Sequence, residues 1–201
     1  MAFVGATSAS ATSTQLCKVH KDPCPAGSAV THLHMQNVGA VPVLLNSTAD
    51  VLCLTVLALA TPLGLANPQT IHVTQFVFSN CGTNAAHNNC TVTALELPLP
   101  TLLRTALNLG TLTAPTGAGE GRTNVKCTIF GFIKINCDYK GAGLSFGVEG
   151  AGHTAGAGHG MLTSLATPLP LSESLEGGGL CPATSSIDGL LEPLEDVFIM
   201  T

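Results

Sequence analysis

The amino-acid sequence predicts an all-β protein, a disulfide-stapled antiparallel β-sandwich, with a β-barrel as the alternative. Apolar and polar residues alternate through many segments, Val, Ile and Thr are abundant, and glycine-rich turns such as TAPTGAGEGRTN separate the alternating runs. The chain also has 8 cysteines and no C-x-x-C motif, which is typical of a disulfide framework in an oxidising compartment. Short strands separated by turns favour a sandwich or a barrel.

Alternation of period two identifies the individual strands. In THLHMQNV, Leu33 and Met35 share one face and His32 and His34 the other, and TIHVTQFVF, CTVTALEL and VKCTIFGFIKINC alternate likewise. PLPTLLRTALNLGTLTA favours a strand over the alternative, a short helix over residues 100–108. VLCLTVLALATPLGLA is too short and too interrupted by proline and glycine to cross a membrane, and predicts a buried strand pair.

The chain of 201 residues fits one domain. We predict an N-terminal extension over residues 1–15 and a single all-β domain over residues 16–201. The start, MAFVGATSASATST, lacks the basic region and the sustained apolar run of a signal peptide, so we interpret the sequence as a mature form with an added Met1.

Charged residues make up only 9% of the chain, and the formal net charge is −5. All 7 basic residues lie before position 141, whereas the last 61 positions carry acids only. The chain has no basic patch, one Tyr and no Trp, so we expect no nucleic-acid binding. A weakly charged surface with few lysines to protect sheet edges predicts self-association into a homo-oligomer or polymer.

The spacing of the cysteines predicts their pairing. Cys127 and Cys137 can bond only if the chain reverses near Gly131, and Cys81 and Cys90 bracket an obvious loop. The remaining predicted pairs are Cys17 with Cys24, and Cys53 with Cys181. The last of these would close the longest loop and stabilise the fold most.

Several cysteine-centred motifs carry a resemblance. LCK…PCP, FSNCGTN…NCTVTAL, VKCTIFGFIKINCDY, GGLCPAT and the final EPLEDVFIMT resemble a group of uncharacterised secreted, cysteine-containing all-β proteins common in actinobacteria. The resemblance spans residues 16–201. It implies export, the cysteine pairs given above, and no catalytic residues.

The stretch GVEGAGHTAGAGHGM, residues 147–161, matches no phosphate-binding loop, because the third glycine and the following lysine are missing. Four histidines are weak candidates for metal ligands: His32 and His34 on one strand face, and His153 and His159 in the glycine-rich stretch. Their spacing is not specific. The preferred interpretation places His32 and His34 on the solvent face of a half-buried strand.

No catalytic motif, such as G-x-S-x-G, occurs in the chain, so we expect neither enzymatic activity nor a cofactor. We predict a secreted or cell-surface structural or interaction module that self-associates. The alternative is a small secreted hydrolase or a metal-binding protein that uses histidines.

Overall fold

The computed structural model describes residues 13–45, 49–83, 86–106, 109–114, 120–141, 144–152, 159–164 and 168–200. Most of the predicted N-terminal extension lies outside this range. The described residues form sixteen strands: β1 Gln15–Cys17, β2 Leu33–Asn37, β3 Val41–Leu45, β4 Ala49–Leu63, β5 Gln69–Thr83, β6 Ala86–Leu95, β7 Leu99–Ala106, β8 Leu109–Thr113, β9 Gly121–Ile129, β10 Ile133–Gly141, β11 Ser145–Gly150, β12 Gly160–Ser164, β13 Leu169–Glu176, β14 Thr184–Ile187, β15 Leu190–Pro193 and β16 Phe198–Met200.

The all-β prediction is confirmed, but the sandwich is wrong and the barrel alternative is right. Fourteen strands pair antiparallel in one closed ring, in the order β10-β13-β14-β3-β4-β2-β15-β12-β11-β8-β7-β5-β6-β9, and β9 closes the ring on β10. The ring closes through pairs that are distant in sequence, such as β14 with β3 and β15 with β2. Each described ring strand therefore has a neighbour on both sides, whereas a sandwich keeps open edges.

The long hairpin β4–β5 crosses the ring and divides it into two circuits of eight strands. We call the circuit of β3, β4, β5, β6, β9, β10, β13 and β14 the disulfide circuit. The circuit of β2, β4, β5, β7, β8, β11, β12 and β15 is the hollow circuit. Each half of the hairpin belongs to one circuit, because β3 and β6 flank the half that holds Cys53 and Cys81, and β2 and β7 flank the other half.

Between its pairings with β3 and β2, a short stretch of β4 has no neighbouring strand on that side, and the Asn37 side chain bonds to its backbone instead. β3 pairs with β4 as far as Cys53, and β2 begins to pair at Leu57. Between them, the Asn37 side chain donates to the Leu54 carbonyl at 3.0 Å and accepts from the Val56 N–H at 2.7 Å. One amide thus replaces the strand pairing that β4 lacks at this point.

All eight cysteines form disulfides, as predicted, but only one predicted pair is right. Cys17 bonds Cys24, and the other bonds join Cys53 to Cys81, Cys90 to Cys127, and Cys137 to Cys181. The predicted pairs Cys53–Cys181, Cys81–Cys90 and Cys127–Cys137 are wrong.

Strand register explains the pairs that form. Cys53, Cys81, Cys90 and Cys127 lie opposite one another in a row across β4, β5, β6 and β9. Along such a row in an antiparallel sheet, closely spaced residue pairs alternate with widely spaced ones. The two disulfides join the closely spaced (narrow) pairs, whose Cα atoms are 4.0 and 4.1 Å apart. The chain does reverse at Gly131, but Cys127 then faces Ile135, not Cys137.

Two further predictions about strands have clear outcomes. The segment 99–113 forms strands β7 and β8, as favoured. The apolar run from residue 51 is one long strand of a hairpin, not a buried strand pair, and Pro62 is accommodated within it opposite Ile71. Within the described ranges, no helix is long and apolar enough to cross a membrane.

A two-stranded ribbon of β1 and β16 lies across the outer end of the hollow circuit. The Thr14 N–H donates to the Ala66 carbonyl in the β4–β5 turn, and the Thr14 and Thr105 hydroxyls lie 2.6 Å apart. Directly before β16, the carbonyl of Val197 accepts from the Ala151 N–H at 2.7 Å. The ribbon therefore closes this end of the barrel.

Candidate functional site

The first candidate site is a polar crevice between β2 and the segment that joins β15 to β16. Its volume is about 210 Å³, and its walls include Lys18, His32, His34, Glu195 and Asp196. The antiparallel pairing of β15 with β2 brings the acidic segment there, and the backbone N–H of Leu194 donates to the His34 carbonyl. Residues far apart in sequence thus share one surface.

An ion pair and a histidine–carboxylate hydrogen bond lie on the acidic side of the crevice. Lys18 Nζ lies 2.9 Å from Glu195 Oε2, and this hydrogen bond, with a smaller contribution from His34, holds the pKa of Glu195 below its usual range. His159 Nδ1 lies 2.6 Å from Asp196 Oδ1. Both pairs are largely exposed to solvent, so each contributes little to stability.

The structure describes three of the four candidate histidines. His32 and His34 are exposed while Leu33 and Met35 are buried, as the preferred interpretation required, and both histidines line the crevice. His159 reaches the same place only through Asp196, and His153 lies outside the described residues. Over the described part of the chain, no three His, Cys, Asp or Glu side chains are placed to hold a metal ion.

The described residues of the glycine-rich stretch, 147–152 and 159–161, lie at the paired ends of β11 and β12. Its described ends flank the ribbon, because the Ala151 N–H donates to the Val197 carbonyl and the Val197 N–H donates to the His159 carbonyl. Gly160 has a φ of +111°, and a Cβ there would lie 3.0 Å from the Glu149 carbonyl oxygen, so glycine is required at this position. The described ends of the stretch therefore support the ribbon, and residues 153–158 lie outside the described residues.

The second candidate site is an apolar cavity inside the hollow circuit, with a volume of about 100 Å³. Residues of β2, β4, β5, β7, β8, β11 and β12 form most of its wall, residues of β6, β9 and β14 extend it, and the ribbon adds Leu16 and Ile199. Ala58 and Ala60, two buried residues of the central hairpin, are among the small residues of this wall. The sequence did not lead us to predict this cavity. The feature that could have indicated it is the pair of small residues at alternating positions in VLALA.

The outer face of β9 and β10 carries a polar cluster that the sequence did not reveal. Arg122 Nη2 donates to Asp138 Oδ2 at 2.7 Å, and Asn124 Nδ2 donates to Asp138 Oδ1 at 2.5 Å. Hydrogen bonds to Asp138 and, less strongly, to Glu96 raise the pKa of Arg122. The cluster satisfies a carboxylate whose side chain is only 5% exposed, which is a structural role.

The buried interior of the disulfide circuit contains the single tyrosine of the chain, Tyr139. Burial raises the pKa of Tyr139 to about 12. Its hydroxyl has no hydrogen-bond partner among the described residues. It lines neither the crevice nor the cavity.

The structure is all-β with four disulfides, and these disulfides indicate an oxidising environment. No protein family model, curated protein or solved structure matches this chain significantly.

Proposed function

We propose that this protein is an exported structural or interaction module whose copies associate end to end through apolar tips. The observation that carries the proposal is the β9–β10 turn, where Phe130 and Phe132 are 82% and 77% exposed. Large aromatic side chains at such exposure are typical of surfaces that are covered by a partner.

The backbone at this turn supports a role beyond folding. Phe130 has a φ of +52°, in the left-handed region where a bulky side chain is rare and costs free energy. Asn or Gly would fit the same turn with less strain. A strained and exposed aromatic residue is expected where function, rather than stability, selects the side chain.

The opposite end of the molecule carries a second apolar tip. Leu63 and Leu65 are exposed at the β4–β5 turn, Leu65 by 61%. The strand registers place this turn at the far end of the β4–β5 hairpin from Phe130, because β9 lies beside the Cys81 end of β5 through β6. A contact between two different tips is heterologous, and it generates open chains unless the rotation closes a ring.

Association of copies through apolar contacts agrees with the structure better than association through sheet edges or through opposite charges. The closed ring pairs both sides of each described ring strand, so edge-to-edge addition has no open ring strand to use. The acidic C-terminal third does not collect at one end either, since Glu173 and Glu176 lie on β13 in the disulfide circuit while Glu195 lies beside the hollow circuit.

The test compares two tip variants by light scattering and electron microscopy. We expect each double variant, Phe130→Ser/Phe132→Ser or Leu63→Ser/Leu65→Ser, to form no long assemblies. An equimolar mixture of the two should form dimers, because the leucine tip of the first variant can still bind the phenylalanine tip of the second. Val38→Ser, at an exposed residue of the β2–β3 turn, is the control and should assemble normally. Assembly should persist in about 1 M salt, where the Debye length is about 3 Å.

A monodisperse wild-type monomer at high micromolar concentration, in both low and high salt, would contradict the proposal. Tip-to-tip dimers that only the phenylalanine variant abolishes would contradict its head-to-tail form.

The alternative, a hydrolase or a metal-binding protein that uses histidines, draws its support from the crevice that holds His32 and His34. Elemental analysis after gentle purification tests the metal-binding form. About one zinc or copper ion per chain, lost in His32→Ala/His34→Ala, would favour this alternative. We expect less than stoichiometric metal, because the exposed pair lacks a third placed ligand among the described residues.

A further inference from the structure

The two circuits are filled differently, although they share one hairpin. In the disulfide circuit, the largest fully buried side chains include Val51, Val125, Tyr139 and Leu169, and three disulfides join its strands and the adjoining loop. None of the described strands that belong to the hollow circuit alone carries a disulfide. The cavity lies mainly on this second side, although its wall also includes Leu95 on β6, Thr123 on β9 and Ile187 on β14.

The wall of the cavity is predominantly apolar, and its polar residues are Thr101, Arg122, Thr123 and Glu149. Leu33 and Met35 come from β2, Ile71 from β5, and Leu103 and Leu112 from β7 and β8. Ala58 and Ala60 on β4 leave the space open, because either could be a larger residue, as at Val56 on the same strand face.

Two of the polar residues at the wall are already engaged. The Thr101 hydroxyl donates to the Ile71 carbonyl at 2.7 Å, so it offers no free donor to the cavity. The Arg122 guanidinium binds Asp138 and Glu96, whose carboxylates balance its charge, although its buried Nε has no hydrogen-bond partner among the described residues. A charged ligand would therefore lose its hydration without meeting an unbalanced opposite charge.

We infer that the hollow circuit binds one neutral, apolar small molecule, of the size of a single aromatic ring or a short alkyl chain. Apolar cavities in proteins stay free of water and take up such molecules, and an engineered cavity of roughly 150 Å³ binds benzene. The cavity of this protein is of similar size, about 100 Å³.

The ribbon of β1 and β16 covers one end of the cavity. Leu16 and Ile199 are buried and form this end of the cavity wall. Hydrogen bonds from Thr14 and Val197 attach the ribbon to the turns around it.

Toluene is a suitable probe, and 4-methylbenzoate is its charged control of nearly the same shape. In two-dimensional amide NMR spectra, we expect saturable toluene-induced shifts centred on residues such as Ala58, Leu103 and Leu112. We expect 4-methylbenzoate to produce none of these shifts at the same concentration. Filling the cavity with Ala60→Leu should weaken toluene binding by about tenfold or more, whereas Ala26→Leu, at an exposed loop position, should leave it unchanged.

A second variant keeps the inference testable if Ala60→Leu does not fold. Leu103→Ala enlarges the cavity, so naphthalene should bind this variant more tightly than it binds the wild type. Three results would overturn the inference: no saturable toluene shifts in the wild type, shifts confined to the tip at Phe130 and Phe132, or equal toluene affinity in the wild type and a folded Ala60→Leu protein.

Discussion

The side-chain oxygen of Asn37 accepts a hydrogen bond from the backbone N–H of Val56 at 2.7 Å, at the point where the two circuits meet. The same side chain donates to the Leu54 carbonyl, so it serves both backbone groups that lie between the pairings of β3 and β2. This amide allows one long strand to belong to two circuits without leaving its backbone unpaired.

Replacing Asn37 by Ala should therefore lower the free energy of unfolding by about 1 to 3 kcal/mol, because it leaves a part-buried N–H and a carbonyl without partners. Chemical denaturation of the oxidised protein measures the change. Gln36→Ala, at the exposed neighbouring residue, is the control and should change stability by less than about 0.5 kcal/mol. An equal effect of the two substitutions would show that Asn37 does not hold the junction.

Tyr139 gives a prediction about alkaline pH. Burial raises its pKa from 10.0 to about 12 in the folded protein. As pH rises above about 10, the unfolded chain loses this proton before the folded chain does, so stability falls between about pH 10 and 12, by up to about 3 kcal/mol. Below pH 10 the residue contributes no pH dependence.

Near-ultraviolet absorbance follows the ionisation cleanly, because Tyr139 is the only tyrosine and the chain has no Trp. Tyr139→Phe should remove the alkaline loss of stability. It should also be neutral or stabilising by up to about 1 kcal/mol at pH 7, since the buried hydroxyl has no described partner. A folded-state ionisation midpoint near 10 would contradict the burial of this side chain.

The disulfides give a third prediction, which mass spectrometry of non-reduced peptides checks directly. We expect four linked peptides, with Cys53 joined to Cys81 and Cys137 joined to Cys181 among them. Peptides that join Cys53 to Cys181, or free thiols, would contradict the strand registers described above.

The same bonds should differ in their contribution to stability. On the chain-entropy model, the bond that closes 44 residues between Cys137 and Cys181 contributes about 4 kcal/mol, and the bond that closes 7 residues between Cys17 and Cys24 about 2.4 kcal/mol. Paired Cys→Ala variants, compared by denaturation, measure both values. A larger loss for the Cys17 and Cys24 variant would show that the short loop matters more than chain entropy predicts.

The features that the sequence predicted are local ones. Alternation placed Leu33 and Met35 inward and His34 outward, and the strands over residues 99–113 followed from the same pattern. The even cysteine count predicted complete oxidation. Each of these features depends on neighbours within a few residues, which a pattern can report.

The features that the sequence did not predict depend on non-local register. A disulfide needs two cysteines at a narrow cross-strand pair, and the loop between Cys81 and Cys90 gave no sign that Cys53 lay on the other side of Cys81. Closure of the barrel, the cavity and the crevice likewise arise from pairings such as β15 with β2. No short segment contains the information for such pairings.

Two circuits share the β4–β5 hairpin, one cross-linked by disulfides and the other hollow. Native-state hydrogen exchange of the oxidised protein, measured residue by residue, tests this arrangement. We expect amides of β9 and β10 to exchange only through global unfolding, whereas amides of β8, β11 and β12 exchange through a lower-energy opening of the hollow circuit. Equal protection in both circuits, or slower exchange in the hollow circuit, would contradict it.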